Sequence, residues 1–254
     1  MGGGILLSGV TSAVRGLFFP EGAGCPVCGR RGSPRHLCRV CVEMWAELAY
    51  GLTPCEKCGR FQSVKEEEKI CPDCRNSEAP YCIARGVAPY EGAVREALHD
   101  FKFCGRRELA YPFGELMASM AVSIFPVRSI AAVIPVPLHE NRLRERGFNQ
   151  AAQLSEVVSR ILKIPMAGEA LVRLRETPSQ TSLSREQRQA NLKGAFEVGK
   201  QPPMIKGKTV LLVDDVYTTG ATVQECSRVL VDFGVKEIYV VTLASGILTS
   251  SHKG

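Results

Sequence analysis

Val210 to Thr222, VLLVDDVYTTGAT, is the stretch on which the reading of the chain turns. An apolar run of the kind a buried parallel strand requires leads straight into two adjacent carboxylates, Asp214 and Asp215. A loop of hydroxyls and glycine follows. Next come TVQECSRVLVDF with helical periodicity, Gly234 as its stop, and the strand-like EIYVVTLA. That order puts the strand Val210–Val213 and its two carboxylates at the carboxyl edge of a sheet, where α/β proteins bind ligands. A small-residue loop opening a helix offers free amides and the positive end of the helix dipole, which suits a phosphate. Thr218, Thr219 and Thr222 add hydroxyl donors, and Gly220 permits close backbone approach. Two carboxylates cannot also cradle that phosphate, but they accept hydrogen bonds from vicinal sugar hydroxyls. The residues therefore describe a sugar ring flanked by a phosphate. A Mg2+ site or a receiver-like acidic pocket is the competing reading, and the Thr-Thr-Gly-Ala-Thr continuation weighs against it.

Upstream, the same alternation of elements continues. YCIARGVAPY reads as a strand, and GAVREALHDFKF as a helix with Val94, Ala97, Leu98 and Phe101 on one face. His99 lies on this helix without a partner pattern and is given no role. ELAYPFGELMASMAVSIF is helical but interrupted near Pro112. IAAVIPVP reads as a buried strand, and NQAAQLSEVVSRIL as a helix with Leu154, Val157, Val158, Ile161 and Leu162 inward. After strand-like ALVRLR comes a long polar loop, ETPSQTSLSREQRQANLKG, of the kind that forms active-site lids. Strands alternating with helices predict a mostly parallel sheet covered on both faces.

The first part of the chain has a different texture. Of the eleven cysteines, eight fall into pairs: Cys25/Cys28, Cys38/Cys41, Cys55/Cys58 and Cys71/Cys74. Each C-x2-C turn presents two thiolates on one side of a tight loop, and two turns complete the four-sulfur shell of a structural zinc ion. The glycines after CPVC and CEKC allow the positive φ that such knuckles need, and Pro26, Pro54 and Pro72 stiffen them. Two closed shells imply two structural Zn2+ ions that supply much of this segment's folding energy. Sequential quartets are the simpler pairing, and the spacing also permits an interleaved one. His36 is a bystander beside four sulfurs. Cys82, Cys104 and Cys226 follow no pattern, and an odd total without an export signal predicts a reducing, cytoplasmic setting. Residues 21–80 hold nine Lys/Arg and nine Asp/Glu, so this segment lacks a strong electrostatic footprint for nucleic acid.

The chain as a whole has a net charge of +6, from 32 basic and 26 acidic residues, a mild preference for anionic ligands. No apolar run approaches the roughly 18 residues of a membrane span. The opening MGGGILLSGVTSAVRGLFFP, broken by Arg15, reads as a short amphipathic helix rather than a signal peptide.

VLLVDDVYTTGATVQEC resembles the signature of type I phosphoribosyltransferases, which bind 5-phosphoribosyl-1-pyrophosphate (PRPP). With the paired knuckles, YEGAVREALHDFKFCGRRELA, PVPLHENRLRERGFNQAAQLS and TPSQTSLSREQRQANLKGAFEV, nearly the whole chain resembles the ComF family, known for competence proteins in bacterial DNA uptake. The resemblance implies an N-terminal helix over 1–20, a double zinc-ribbon module over 21–80 and a phosphoribosyltransferase fold over 81–250. It implies that Asp214 and Asp215 are the catalytic pair and hold the ribose hydroxyls. Thr218, Thr219, Gly220, Ala221 and Thr222 would hold the 5′-phosphate. The segment PVPLH, with Val136, Pro137 and Leu138, would be the pyrophosphate loop, followed by Arg142, Arg144 and Arg146. In the lid, Gln180, Arg185, Arg188 and Asn191 match family positions, with Arg173 leading in and Lys102 facing the site from the opposite rim. Mg2+ would accompany the pyrophosphate, and a transferase would act mainly by positioning and charge stabilisation. The partners implied are PRPP, single-stranded DNA and DNA-uptake proteins. The alternative is a non-catalytic adaptor or PRPP sensor. Residues 135–200 carry eleven Lys/Arg against seven Asp/Glu, so a single strand would lie on this face, with affinity falling steeply in salt. Separate modules imply that chelation unfolds 21–80 and leaves the rest folded.

Overall fold

A computed structural model describes residues 24–63, 69–176, 191–200 and 204–248. The helix expected over 1–20 and the lid residues Gln180, Arg185 and Arg188 lie outside them. The central sheet has four parallel strands: β3 (Ile83–Pro89), β4 (Ile130–Pro135), β7 (Thr209–Tyr217) and β8 (Glu237–Ser245), in the order β3-β8-β7-β4. Alternation along the inner strands builds both faces. Leu211 and Val213 of β7 and Val241 and Leu243 of β8 point to one core, while Val210, Leu212, Ile238 and Val240 point to the other.

On the first face lie α3 (Gly92–Phe103), α4 (Ala110–Ile124) and α6 (Gln150–Leu162), with Phe101, Phe113 and Leu154 fully buried. On the second lies α7 (Ala221–Phe233), through Val223, Cys226 and Leu230. A short antiparallel pair, β5 (Leu171–Arg173) and β6 (Phe196–Val198), covers its flank. Gly234, at φ 102, ends α7 by turning its amide back to Leu230 and Val231. A shorter helix, α5 (Glu140–Arg146), links β4 to α6 and stops at Gly147, φ 73.

The cysteine-rich part adds α1 (Arg39–Glu47), the hairpin β1 (Leu52–Pro54) and β2 (Phe61–Ser63), and one turn of helix, α2 (Pro72–Arg75). It is built into the larger part. β2 pairs in parallel with β9 (Ile247–Leu248), which continues β8 past Gly246. Trp45 packs on Phe113, and Cys55, Cys58 and Cys71 share a core with α7.

Three local expectations are corrected. Pro112 does not interrupt its helix: α4 runs unbroken from Ala110, and the proline sits in the first turn, where its missing N–H has no intrahelical partner to lose. Ile161, expected inward, is 39% exposed at the far end of α6. The strand through Val210 does not stop before the carboxylates. β7 carries Asp214 and Asp215 and continues to Tyr217, because Asp214 and Val216 still pair with Thr242 and Ala244 of β8. The loop is thus only Thr218–Gly220, and Gly220, at φ 81, is the cap from which α7 starts.

Candidate functional site

Pairing with β8 leaves the side chains at the end of β7 facing a cavity of about 230 Å³ at the carboxyl edge of the sheet. Asp214 and Asp215 form its floor. Asp214 Oδ1 accepts the Asp215 amide at 2.9 Å. Asp215 Oδ2 pairs with Lys102 Nζ at 2.9 Å, both side chains largely shielded. Burial first, and the charge of Asp215 second, push the Asp214 carboxyl up to about 7, against the pull of Lys102 and Arg173.

Two helices begin at this cavity. At one end, Thr218 and Thr222 bring the preceding loop and the first turn of α7. At the other, Asn149, Gln150 and Ala151 bring the first turn of α6. The Asn149 side chain caps α6 by accepting from Ala152 N at 3.4 Å and donates to Val136 O at 3.1 Å, fixing the helix start against the loop after β4. Val136 in turn donates to Val213 O at 2.9 Å, so that loop continues the sheet. Each helix start supplies unpaired amides and positive potential.

The cations gather at the α6 end. Arg142 and Arg146 are four residues apart on α5 and line the cavity together with Lys102 and Arg173. Arg144, between them, falls on the opposite helix face and pairs with Glu140 at 3.1 Å in solvent. Arg146 lies 4.8 Å over the Phe103 ring and donates to Gln150 Oε1 at 3.2 Å. Gln150 is 1% exposed, and its Nε2 has no partner. Gln150 is itself among the residues that line the cavity.

Of the residues singled out from the sequence, Asp214, Asp215, Thr218, Thr222, Val136, Pro137, Leu138, Arg146, Arg142, Arg173 and Lys102 line this one cavity. Thr219 and Gly220 lie in the intervening loop, and Ala221 lines a neighbouring depression behind it with Gln224 and Glu225. Asn191 is placed outside the cavity wall. Asn149 and Gln150 were missed by sequence reasoning. Their signal was present: an Asn immediately before an apolar-periodic run is a helix cap.

The cysteines assemble as two sequential quartets, Cys25/Cys28/Cys38/Cys41 and Cys55/Cys58/Cys71/Cys74, with the sulfurs of each within 4.8 Å of one another. Sulfur separations of 3.7 Å (Cys25–Cys41), 3.5 Å (Cys28–Cys38) and 3.8 Å (Cys58–Cys71) match the edge of a tetrahedron with bonds of about 2.3 Å. Both quartets repeat one local plan. Gly29 and Gly59, each at φ 71, turn their amides to Cys25 O and Cys55 O, and Cys38 and Cys71 cap α1 and α2. The Cys38 and Cys71 amides donate to Cys25 Sγ and Cys55 Sγ, both at 3.3 Å. The donor set could hold two tetrahedral thiophilic ions such as zinc. His36 stands aside, bonded to Glu115 at 2.7 Å. His99, Asp100 and Cys104 also come close together on an exposed face, where Asp100 is already paired with Arg106.

Comparison with known proteins gives matches along the chain. Residues 149–252 match the phosphoribosyl transferase domain family. Competence protein F of Haemophilus influenzae is 44% identical over 211 residues, covering 82% of this chain and 90% of that protein. DNA utilization protein YhgH of Escherichia coli K12 is 30% identical over 221 residues, covering 80% and 94%. Competence protein ComFC of Bacillus subtilis is 30% identical over 186 residues, covering 71% and 72%.

Proposed function

The chain belongs to the ComF family of competence proteins, with a phosphoribosyltransferase-type fold, and from that premise we propose that it binds PRPP with Mg2+ and acts in DNA uptake or the handling of incoming single strands. One observation carries the ligand assignment: a cavity floored by two carboxylates has a helix N-terminus at each end. Two carboxylates accept a diol, and two helix starts accept two anionic groups on either side of it. The ends differ in charge. The α7 end offers amides and threonine hydroxyls and suits the 5′-phosphate. The α6 end adds Lys102, Arg142 and Arg146 and suits the more highly charged pyrophosphate. Asp214 and Asp215 join no third ligand in a metal cluster among the described residues, so Mg2+ fits as a passenger on the pyrophosphate oxygens.

In this reading, the residues orient the sugar and neutralise the departing pyrophosphate, while Asp214 and Asp215 stabilise positive charge developing on the ribose. Zinc in the two cysteine quartets is structural, since four thiolates leave no open coordination position.

Calorimetric titration of PRPP with Mg2+ into the zinc-loaded protein tests the assignment. Micromolar binding is expected for the wild type, with a loss of at least about a hundredfold in an Asp214→Asn, Asp215→Asn double variant, since two charge-assisted hydrogen-bond acceptors go. A wild type that fails to bind would sink it. Release of pyrophosphate in the presence of nucleobase acceptors then reads turnover.

A further inference from the structure

The loop that opens α7 and the second cysteine quartet lie back to back. Tyr217, the last residue of β7, is 2% exposed, and its side chain curls beneath the loop that follows it. A Cβ placed on Gly220 would stand 2.0 Å from the Tyr217 hydroxyl, so the ring occupies the only room a side chain at 220 could use. That hydroxyl meets the hydroxyl of Tyr81 at 2.7 Å, with Tyr81 4% exposed. Tyr81 shares a core with Cys55, Cys58 and Cys71. Its carbonyl accepts Lys57 Nζ at 2.6 Å, and Lys57 stands inside the Cys55–Cys58 knuckle. The Lys57 carbonyl accepts the Ala84 amide at 2.9 Å, which pins the same knuckle to β3.

A second route arrives through the backbone. Arg60 ties to the quartet by a bond to Cys71 Sγ at 3.5 Å and by pairing with Asp73. The next residue, Phe61, donates to Gly246 O at 3.0 Å, and the Gly246 amide donates to Tyr217 O at 2.8 Å. Both routes end on Tyr217, one at its hydroxyl and one at its carbonyl. Among the described residues, the first quartet has no such link. Its Cys28 is exposed, and its loop is held instead by Arg106 on the Pro26 carbonyl and by His36 on Glu115.

We propose that Tyr81 and Tyr217 are positioning residues through which the second quartet, with its metal bound, sets the shape of the phosphate loop Thr218–Thr222. The proposal rests on the sugar-phosphate reading of that loop. A quartet stripped of its metal has four thiols crowded within 4.8 Å with nothing to hold them, and the knuckle that carries Lys57 and Arg60 loosens. Tyr81 then loses its anchor and Tyr217 its partner. The two metal centres are therefore unequal: the second braces the ligand site, and the first does not.

The test uses the full-length zinc-loaded chain with ribose 5-phosphate and inorganic pyrophosphate as separate probes. Tyr81→Phe and Tyr217→Phe keep the rings and remove only the hydroxyl bond. Each should weaken ribose 5-phosphate about three- to tenfold, the equivalent of one hydrogen bond, and leave pyrophosphate binding unchanged. Amide exchange at residues 218–222 should accelerate in both variants and on full metal removal by chelation. It should stay at the wild-type rate in Cys28→Ser, which disables the first quartet alone. Exchange at 218–222 unmoved by both tyrosine variants and by chelation would overturn the proposal, as would equal losses for the two probes. If the wild type binds neither probe, the sugar-phosphate reading fails, and the exchange rates alone decide whether quartet and loop are coupled.

Discussion

Asp214 lies partly buried in the cavity at the end of β7, next to a second carboxylate. Desolvation first and the charge of Asp215 second push its carboxyl up to about 7 from the usual 3.8. The sign of the consequence follows from linkage. Between those values the folded protein holds a proton that the unfolded chain has released, so stability falls as pH rises through that window. Asp214→Asn removes this penalty. The variant should melt several degrees above the wild type near about pH 8, and the gap should narrow clearly by about pH 5. Scanning calorimetry at the two pH values decides it, and an equal difference at both would refute the assignment. On the PRPP reading the same change is expected to weaken ligand binding, a trade of function against stability.

At the level of elements, α6 makes the sharpest case. Its cap, Asn149, holds both the helix start and the Val136 carbonyl. Asn149→Ala should cost about 1 kcal/mol of stability and weaken inorganic pyrophosphate more than ribose 5-phosphate. Thermal melts and paired titrations check the two parts, and equal weakening of both probes would count against it. This helix also shows where the sequence was legible and where it was not. The unit β7-loop-α7 was readable because one continuous stretch carries the strand, the carboxylates and the phosphate loop. The extent of β7 was not, because only pairing with Thr242 and Ala244 keeps Asp214 to Tyr217 extended. The role of Asn149 and Gln150 escaped for a related reason: α6 is brought to the cavity by β4 lying beside β7, a contact about eighty positions apart in the chain. Arg142, Arg144 and Arg146 could be sorted only once α5 was known to be helical. Pro112 was misread by applying a helix-interior rule to a first-turn position.

At the scale of the molecule, the cysteine segment and the α/β part share a strand pairing, β2 with β9, and a common core. The sequence pattern suggests modules that come apart on chelation, because thiol spacing is local and the shared core is not. The packing leads to a different expectation: one cooperative melting transition in the zinc-loaded protein, shifted well below its original temperature when metal is removed. A chelated protein whose α/β part keeps its original transition would show that the two parts are independent after all. Among the described residues no helix is long and apolar enough to cross a membrane.

The pairing of Lys102 with Asp215 has a bearing on ion selectivity. Adjacent carboxylates in a recess ordinarily attract any free divalent cation. Here an ammonium group, tethered at the end of α3, already fills that role. A bare metal ion would have to evict a covalently attached competitor, whereas a sugar phosphate offers that same lysine a new anion to follow. On the sugar-phosphate reading, the tethered ammonium would discriminate against a bare divalent cation at Asp215 while leaving the cavity open to a phosphorylated ligand.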